Sequence, residues 1–561
     1  MHGWPGLLSG YLAVQGPLLA GMVHARAPWS RYLLAPLVAA PLTALSGAGI
    51  AMLSPLLAGL GISSHAALQL AAGVAVSSTL GYVAGRALSR TIAPQATHVR
   101  GAIISDAPTS ATSTAAHRFA GRACGAWHGP IRLAGVPLTA DDETKHFKLI
   151  GTTGTGKSTA IRELLASALR RGDRAVIADP DGGYLARFYD RERGDVILNP
   201  FEPSSVRWNL FGELTDAQDV EQLARSLIPD HEGPDRSWRG YARTFFSAVT
   251  DQARAAGISD VRELYRLLVV AGTGELKELV AGTPAQPFLE EHNGRMFDSI
   301  RSVTSSAVAA LAYISRQDGS PFSVRRWTRS SLQPEAESSD RGVLFIPYRA
   351  GQIAALRSII SAWMRLSIFE AMNRSEGEQR LWFVVDELDA LGQIDGLKDA
   401  LARLRKFGGR CVLGFQSIAQ VSATYGAEAQ TIVENCGNTL ILRCAGSEHG
   451  GTSQFASRLI GEREVMRTSV SRSRRPFELL PVLNRSESSG VETAVMASEI
   501  EQLPDLAGYL KLTSQAAWMR VALQHPGAAV RISDRRCITR RRNDRDAVSA
   551  EQRVHHEFGM E

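Results

Sequence analysis

The sequence has few cysteines, and they do not form the pattern of a metal site or a disulfide framework. Five occur in 561 residues, with no C-x-x-C pair and no neighbouring histidine at zinc-ligand spacing. An odd, scattered set is also a poor basis for structural disulfides. We therefore expect the bulk of the chain to lie in a reducing cytoplasm and to lack a structural metal. The cysteines are Cys124, Cys411, Cys436, Cys444 and Cys537.

A strong charge imbalance is also missing. The 62 Lys and Arg against 56 Asp and Glu leave a net charge of +6, and 44% of the residues are hydrophobic. Disordered chains combine few apolar residues with a large net charge, so disorder is excluded as the main state. At roughly 150 residues per domain, the length predicts three or four modules.

Charged residues are absent between Arg31 and Arg86. A membrane span needs about 20 apolar residues, so this segment predicts two transmembrane helices, at about 34–59 and 66–85. Basic residues flank the pair on both sides, which places both ends in the cytoplasm. The alternative is a buried helical hairpin of a soluble protein. The uncharged segment Trp4 to Val23 contains prolines and a glutamine, and it is either an interfacial segment or a third span.

The sequence G-T-T-G-T-G-K-S fits the phosphate-binding pattern G-x-x-x-x-G-K-[ST] at every fixed position. A strand-like segment precedes it, and apolar residues at helical spacing follow it up to Arg170 and Gly172. A chance match would lack this order of strand, glycine turn and helix. The predicted nucleotide-binding residues are Gly151, Thr152, Thr153, Gly154, Thr155, Gly156, Lys157, Ser158 and Thr159.

The chemistry of this motif requires these residue types. Glycines let backbone N–H groups close around phosphates, and the helix N-terminus adds favourable partial charge. Lys157 is expected to reach the β- and γ-phosphates of ATP as a catalytic residue, and the Ser158 hydroxyl to bind Mg²⁺.

An apolar run at 381–385 ends in Asp386 and Glu387. Such a run is typical of a strand covered on both faces. Asp386 is predicted to hold Mg²⁺, and Glu387 to orient or deprotonate the attacking water. The alternative is that the two acids only cap the next helix.

A further predicted strand, 411–415, ends in Gln416. A glutamine at this position can sense the γ-phosphate of the nucleotide. The alternative is that it is only the polar residue at which the strand ends. Strand-like segments at 175–178, 343–346 and 439–442 alternate with helical patterns. The sequence therefore predicts an α/β fold of RecA-like P-loop ATPase type, with a mostly parallel sheet.

Helical periodicity from about 215 to 287 predicts an all-α insertion, whose apolar stripes are expected to form its core rather than a binding groove. The predicted organisation is a membrane region at 1–100, a connector at 101–134, a nucleotide-binding domain in two parts at 135–211 and 297–520, the all-α insertion at 212–296, and a basic tail at 521–561.

Basic residues cluster in three regions, around 398–410, 467–475 and 531–545. Such clusters suit a nucleic-acid backbone, and they also occur on ordinary solvated faces, in disordered arms or at lipid contacts. One arginine is expected to act in trans on a neighbouring subunit's nucleotide. The candidates are Arg405, Arg410 and Arg443.

Five segments together resemble the type IV secretion coupling proteins of bacterial conjugation, the TraD/TrwB-like family. They are I-G-T-T-G-T-G-K-S (150–158), R-G-D-R-A-V-I-A-D-P-D-G-G-Y (171–184), I-L-N-P-F (197–201), V-V-D-E-L-D-A-L (384–391) and G-F-Q-S (414–417). These segments and the helical insertion occur in the same order as in that family. Together they cover about 135–512.

The resemblance implies a multi-pass ATPase of the bacterial inner membrane with its body in the cytoplasm. It would form a homo-oligomer, expected to be a hexamer, and move single-stranded DNA with bound relaxase toward the membrane proteins of a type IV secretion channel. The short predicted loop between the spans departs from relatives that carry a larger periplasmic part. A protein-export ATPase, or a nucleotide-switched receptor for the relaxosome, is the alternative function. The intact Glu387 and Gln416 favour turnover over switching.

Overall fold

The computed structural model describes residues 4–24, 27, 32–45, 66–89, 96–107, 130–230, 235–330, 342–373, 380–447, 450–473 and 482–524. The chain divides into two compact units: Met1–Val99 with Val465–Gly490, and Arg100–Glu464 with Val491–Glu561. The second unit holds the predicted nucleotide site.

Seventeen strands are described. Numbered β1 to β17 along the chain, they are Ala96–Gly101, Ile104–Asp106, Arg132–Leu133, Val136–Pro137, Phe147–Ile150, Arg174–Pro180, Val196–Ile197, Arg207–Trp208, Pro321–Phe322, Val343–Tyr348, Leu381–Val385, Gly409–Phe415, Asn438–Ile441, Glu462–Ser473, Val482–Thr493, Ala507–Lys511 and Trp518–Ala522.

Ten strands form the central sheet, in the order β2-β17-β16-β13-β5-β12-β11-β6-β10-β7. The seven strands from β13 to β7 are all parallel to one another. Antiparallel pairing occurs at β13–β16 and β16–β17. The prediction of an α/β fold with a mostly parallel sheet is confirmed.

Side chains of neighbouring residues in these strands enter two different cores, because successive strand residues point to opposite faces. Val176 and Phe383 pack in the core that includes the helix Ile353–Met372. Ile177 and Trp382 pack in the core that includes Leu164 of the helix after the glycine loop. Strands covered on both faces are apolar throughout, which explains the unbroken hydrophobic run of β11.

Helices cover the sheet and connect its strands. Those of the second unit are Ala140–Thr144, Lys157–Arg170, Leu185–Phe188, Ala217–Leu227, Arg236–Ala255, Val261–Val269, Thr273–Leu279, Gly294–Ala307, Leu311–Ile314, Val324–Ser330, Ile353–Met372, Leu397–Arg403, Ile418–Tyr425, Glu428–Asn435, Gly451–Ile460 and Ala497–Glu501, with short 3₁₀ turns at Leu210–Glu213, Gln286–Leu289, Glu291–Asn293, Asp389–Leu391 and Leu404–Phe407.

The predicted helical insertion corresponds to the chain between β8 and β9, two short strands that pair in parallel. The helices between them are amphipathic, and residues such as Phe245, Leu264 and Phe297 face a common core. The helix Gly294–Ala307 continues across the predicted boundary at 296. The domain limits proposed from the sequence stay predictions.

In the first unit, the helices Trp4–His24 and Ala66–Ser89 pack against each other. Their backbones approach closely at Gly81 and Gly85, where an added Cβ would lie 2.4 Å from Val14 O and 2.2 Å from Leu18 O. Residues 35–45 are helical as well. The same unit contributes to a three-stranded sheet of order β1-β14-β15.

None of the helices in the described part of the chain is both long enough and apolar enough to qualify as a membrane span. The predicted span at 66–85 coincides with the helix Ala66–Ser89. Residues 46–59 of the other predicted span lie outside the described residues. The predicted multi-pass arrangement is therefore not supported by the described helices.

Candidate nucleotide site

The glycine loop 151–156 lies at the carboxyl edge of the sheet, held by strands on both sides of β5. Gly151 N donates to Phe415 O at the end of β12, and Thr152 N donates to Arg443 O beyond β13. The loop then turns into the helix Lys157–Arg170 through Gly156, whose φ of 119° favours glycine. The local order predicted from the sequence is the order observed.

Lys157 is folded back onto its own loop. Its Nζ donates to Gly151 O at 2.7 Å and Thr152 O at 3.1 Å. Burial lowers the pKa of Lys157, while the nearby carboxylates of Asp386 and Glu387 oppose that shift. A lysine that bonds only to loop carbonyls has donors that can be turned toward a phosphate.

Asp386 follows β11 and is buried. Its Oδ2 accepts hydrogen bonds from Ser158 Oγ at 2.6 Å and from Tyr184 OH at 2.8 Å. Its Oδ1 is also buried and has no hydrogen-bond partner among the described residues. An unpaired buried carboxylate oxygen beside a hydroxyl fits Mg²⁺, which prefers oxygen ligands. Ser158 and Asp386, the pair predicted to hold the metal, are therefore in hydrogen-bond contact, and one carboxylate oxygen has no partner among the described residues.

Glu387 and Gln416 face each other across two adjacent strand ends. Gln416 Nε2 donates to Glu387 Oε1, and Thr153 Oγ1 donates to Gln416 Oε1 at 3.4 Å. Burial raises the pKa of Glu387, and the negative charges of Asp386 and Asp389 raise it further. A carboxylate with a raised pKa is better able to accept a proton from water.

The position of Gln416 follows from the strand order. Strand β12, which ends in Phe415, lies between β5 and β11. Its carboxyl end therefore lies between the glycine loop and the two acids. Close approach of β12 to the Asp386 backbone requires glycine at 414, because an added Cβ would lie 1.9 Å from Asp386 O.

These groups line one open cleft of about 480 Å³. Six of the nine predicted loop residues line it, whereas Gly151, Thr152 and Thr155 do not. The cleft is lined by Thr153, Gly154, Gly156, Lys157, Ser158, Thr159, Arg162, Asp386, Glu387, Gln416, Asp505 and Leu506.

Two residues of the site were missed by sequence reasoning about function, Asp179 and Tyr184. Asp179 is the penultimate residue of β6, and its carboxylate accepts from Tyr184 N at 3.0 Å and Leu185 N at 2.7 Å. Burial, helped by the negative charge of Asp386, raises the pKa of Asp179 to about 6. The available signal was an aspartate directly after an apolar run, the same signal that identified Asp386.

A carboxyl-terminal segment also supports the loop. Leu506 N donates to Thr155 O, and the Leu506 side chain packs against Gly156. Leu506 has a φ of 64°, which is rare outside glycine. This contact joins the glycine loop to residues about 350 positions further along the chain and was not predicted.

The structure removes one candidate for the arginine that acts in trans. Arg410 is buried, where it pairs with Glu143 and lies against the Trp382 ring. Its guanidinium is therefore not exposed to a neighbouring subunit. Arg443 pairs with Asp505 of its own chain at 2.6 Å. Arg405 is exposed.

The basic clusters are only partly described. Lys398 pairs with Glu428, and Arg403 and Lys406 are exposed. Arg467 and Arg472 lie on β14. The remaining members of the predicted clusters, Arg474 and Arg475 and the basic residues at 531–545, lie outside the described residues.

The sheet and the site together define an α/β protein with a P-loop and an acidic strand end placed opposite it. Comparison with known proteins gives the family. The model of the type IV secretion-system coupling protein DNA-binding domain matches residues 130–524. Coupling protein TraD of Escherichia coli (strain K12) is 31% identical over 398 residues, which cover 70% of this chain and 54% of TraD.

Solved structures agree. Plasmid coupling protein TrwB in complex with ADP and Mg²⁺ is 29% identical, with a TM-score of 0.64 over 78% of this chain and 96% of that chain. Unbound TrwBdeltaN70, a bacterial conjugative coupling protein, is also 29% identical with a TM-score of 0.64, covering 76% and 94% of the two chains. The chain belongs to the type IV secretion coupling proteins, as its sequence motifs predicted. It spans about half the length of TraD.

Proposed function

We propose that the chain is a coupling-protein ATPase that binds ATP with Mg²⁺ and uses hydrolysis to recruit and translocate single-stranded DNA, with bound relaxase, to a type IV secretion channel. The observation that carries the enzymatic part is the convergence of Lys157, Ser158, Asp386, Glu387 and Gln416 on one cleft. The related TrwB has been solved with ADP and Mg²⁺ and with a non-hydrolysable ATP analogue, which supports the choice of nucleotide and metal.

The roles of the residues follow from their contacts. Gly154, which has nothing within 4 Å of an added Cβ, leaves room for phosphate oxygens, and Lys157 turns from the loop carbonyls to the β- and γ-phosphates. Ser158 and Asp386 hold Mg²⁺, which supplies charge neutralisation at the phosphates. Glu387 accepts the proton of the attacking water, and Gln416 holds Glu387 in place.

Gln416 also connects the site to the rest of the molecule. It touches Thr153 of the loop and Glu387 after β11, and it begins the turn into the helix Ile418–Tyr425. A residue that contacts both the phosphate loop and the base is suited to pass the presence of the γ-phosphate to that helix. We assign this relay to Gln416.

A neighbouring subunit completes the site in this proposal. Among the three arginines considered, Arg405 is exposed and takes part in no ion pair within the described residues, whereas Arg410 and Arg443 each pair with an acid of the same chain. We therefore assign the trans role to Arg405 in a homo-oligomer, with a hexamer as the expected form.

The amino-terminal region is proposed to hold the ATPase at the bacterial inner membrane, where the membrane proteins of the channel are its partners. The support is the sequence between Arg31 and Arg86, which contains no Asp, Glu, Lys or Arg and is long enough for apolar contact with a bilayer. The ATPase body would then lie on the cytoplasmic side.

The test is ATP hydrolysis by the purified chain, with and without single-stranded DNA, over a range of protein and salt concentrations. A DNA motor assembled from several subunits gives a rate that rises with DNA, falls with salt and increases more than linearly with protein. If the rate of hydrolysis by an assembled preparation does not change when DNA is added, DNA pumping is contradicted. That result would favour a protein-export ATPase or a receptor for the relaxosome. A relaxase would then be added as the activator.

A further inference from the structure

We propose that Tyr184 is a positioning residue that orients the Asp386 carboxylate for Mg²⁺. This inference rests on the proposed function, because it assigns a role in binding the metal–nucleotide complex. Tyr184 OH donates to Asp386 Oδ2 at 2.8 Å. The other carboxylate oxygen, Oδ1, has no hydrogen-bond partner among the described residues although it is buried. One oxygen of Asp386 is thus held by the protein, and the other is left for a ligand.

Two donors share Asp386 Oδ2, and they differ in kind. Ser158 Oγ, at 2.6 Å, belongs to a residue that is itself assigned to the metal. Tyr184 belongs to the strand-end turn after β6 and does not line the cleft. Its hydroxyl is therefore the donor to Asp386 that is not also a proposed metal ligand. Fixing one oxygen through such a donor sets the direction in which the other oxygen points.

The Tyr184 ring is itself held in place. Its backbone N donates to the buried carboxylate of Asp179, and Leu185 N donates to the same carboxylate. The preceding turn contains Asp181 and Gly182, both with positive φ. The Arg162 guanidinium lies over the ring, 5.5 Å from its centroid. A side chain that is 1% exposed and anchored in this way can act as a fixed support.

The hydroxyl is the part of Tyr184 that the proposal requires, so Tyr184→Phe is the informative variant. It keeps the buried ring and removes the donor to Asp386. Loss of a hydrogen bond to a metal-ligating carboxylate typically weakens metal binding by about 10- to 100-fold. The ring packing should preserve the fold and the phosphate loop.

Tyr348 offers a matched control. It is a buried tyrosine at the end of β10, the strand next to β6, and its hydroxyl has no hydrogen-bond partner among the described residues. Tyr348→Phe removes the same atom without breaking a hydrogen bond. The two variants therefore separate the contact with Asp386 from the loss of a buried hydroxyl.

The experiment measures binding of a fluorescent ADP analogue to the full chain as Mg²⁺ is titrated, and binding of the same analogue in EDTA. We expect Tyr184→Phe to raise the half-saturating Mg²⁺ concentration by about 10-fold or more, with unchanged affinity in EDTA. Tyr348→Phe should match the wild type. In an Asp386→Asn background, Tyr184→Phe should add no further change, because the carboxylate that it orients is gone.

The outcomes distinguish the inference from the function on which it rests. A wild-type chain that binds the analogue with Mg²⁺ dependence, together with a Tyr184→Phe variant that behaves identically, overturns the positioning role alone. Equal weakening in EDTA and in Mg²⁺ means that Tyr184 only supports the fold, and this also overturns it. A wild-type chain that fails to bind the nucleotide overturns both proposals.

Discussion

The hydroxyl of Ser158 lies 2.6 Å from Asp386 Oδ2, although the two residues are 228 positions apart in the chain. One residue begins the helix after β5, and the other follows β11, with β12 between the two strands. Their contact brings the phosphate loop and the acidic strand end to the same edge of the sheet. The ends of parallel strands are where α/β proteins bind ligands.

Replacement of Lys157 by alanine should abolish ATP hydrolysis and weaken nucleotide binding. The variant removes the ammonium group that we propose to reach the phosphates, and in this structure that group bonds to Gly151 O and Thr152 O. The melting temperature should change little, since burial of the charge is itself unfavourable. ATPase assays and circular dichroism measure both quantities. Lys398→Ala, at a half-buried ion pair that does not line the cleft, is the control. Normal turnover in Lys157→Ala would refute the site assignment.

Glu387→Gln should bind ATP and stall before hydrolysis. The amide keeps the size of the side chain but cannot accept a proton, and loss of a general base typically lowers the rate by about 100-fold or more. Single-turnover hydrolysis and equilibrium binding of ATP test the two halves of the prediction. Glu428→Gln, which breaks a half-buried ion pair with Lys398 outside the cleft, should hydrolyse normally. Unchanged turnover in Glu387→Gln would exclude Glu387 as the base.

Gln416→Ala should reduce kcat while leaving the affinity for ATP close to normal. The variant loses the contacts with Glu387 and Thr153 but keeps every residue proposed to hold the phosphates or the metal. A base that is misplaced by about 1 Å can cost on the order of 100-fold in rate. Separate measurement of kcat and of ATP binding decides the point. A loss confined to binding would show that Gln416 has no part in the chemical step.

Gly414→Ala should destabilise the protein and displace Asp386. The added Cβ would lie 1.9 Å from Asp386 O, so β11 and β12 would have to separate. Overpacking of this kind costs typically about 1–3 kcal/mol. Gly240→Ala is the matched control, because nothing lies within 4 Å of its added Cβ in the helix Arg236–Ala255. Thermal unfolding should show a lower midpoint for the first variant and an equal or higher one for the second.

His146 should make the protein less stable as the pH falls from about 6.5 to about 4. Its buried ring bonds to Leu401 O through Nε2 and accepts Cys411 N at Nδ1. Burial lowers the pKa of His146 to about 4, against about 6.5 in the unfolded chain. The neutral ring therefore contributes up to about 3 kcal/mol to the free energy of unfolding. This contribution is fully present above pH 6.5 and is lost as the pH falls through about 4.

The measurement is the pH dependence of unfolding in wild type and in His146→Gln. The difference in unfolding free energy between them should shrink as the pH is lowered through this window, because only the wild type carries the titrating ring. A constant difference from pH 7 to pH 4.5 would show that His146 does not couple protonation to folding.

Local sequence was sufficient for the parts of the site that are contiguous in the chain. Strand, glycine loop and helix at 147–170 follow one another directly, so spacing and residue type determine them. The acids after β11 were found in the same way, from an apolar run that ends in charge. These features depend on interactions between residues that are close in the sequence, so the sequence alone is enough to predict them.

Only the tertiary structure decided which residues from distant parts of the chain lie close together. Strand order placed Gln416 between the loop and Glu387. Core packing buried Arg410, which the sequence grouped with the basic cluster at 398–410. Tyr184 reaches Asp386 across 202 positions, and no local pattern records that contact. Such proximity arises from the pairing of β6 with β11 and from the packing of both sheet faces, so it is a property of the assembled core rather than of any one segment.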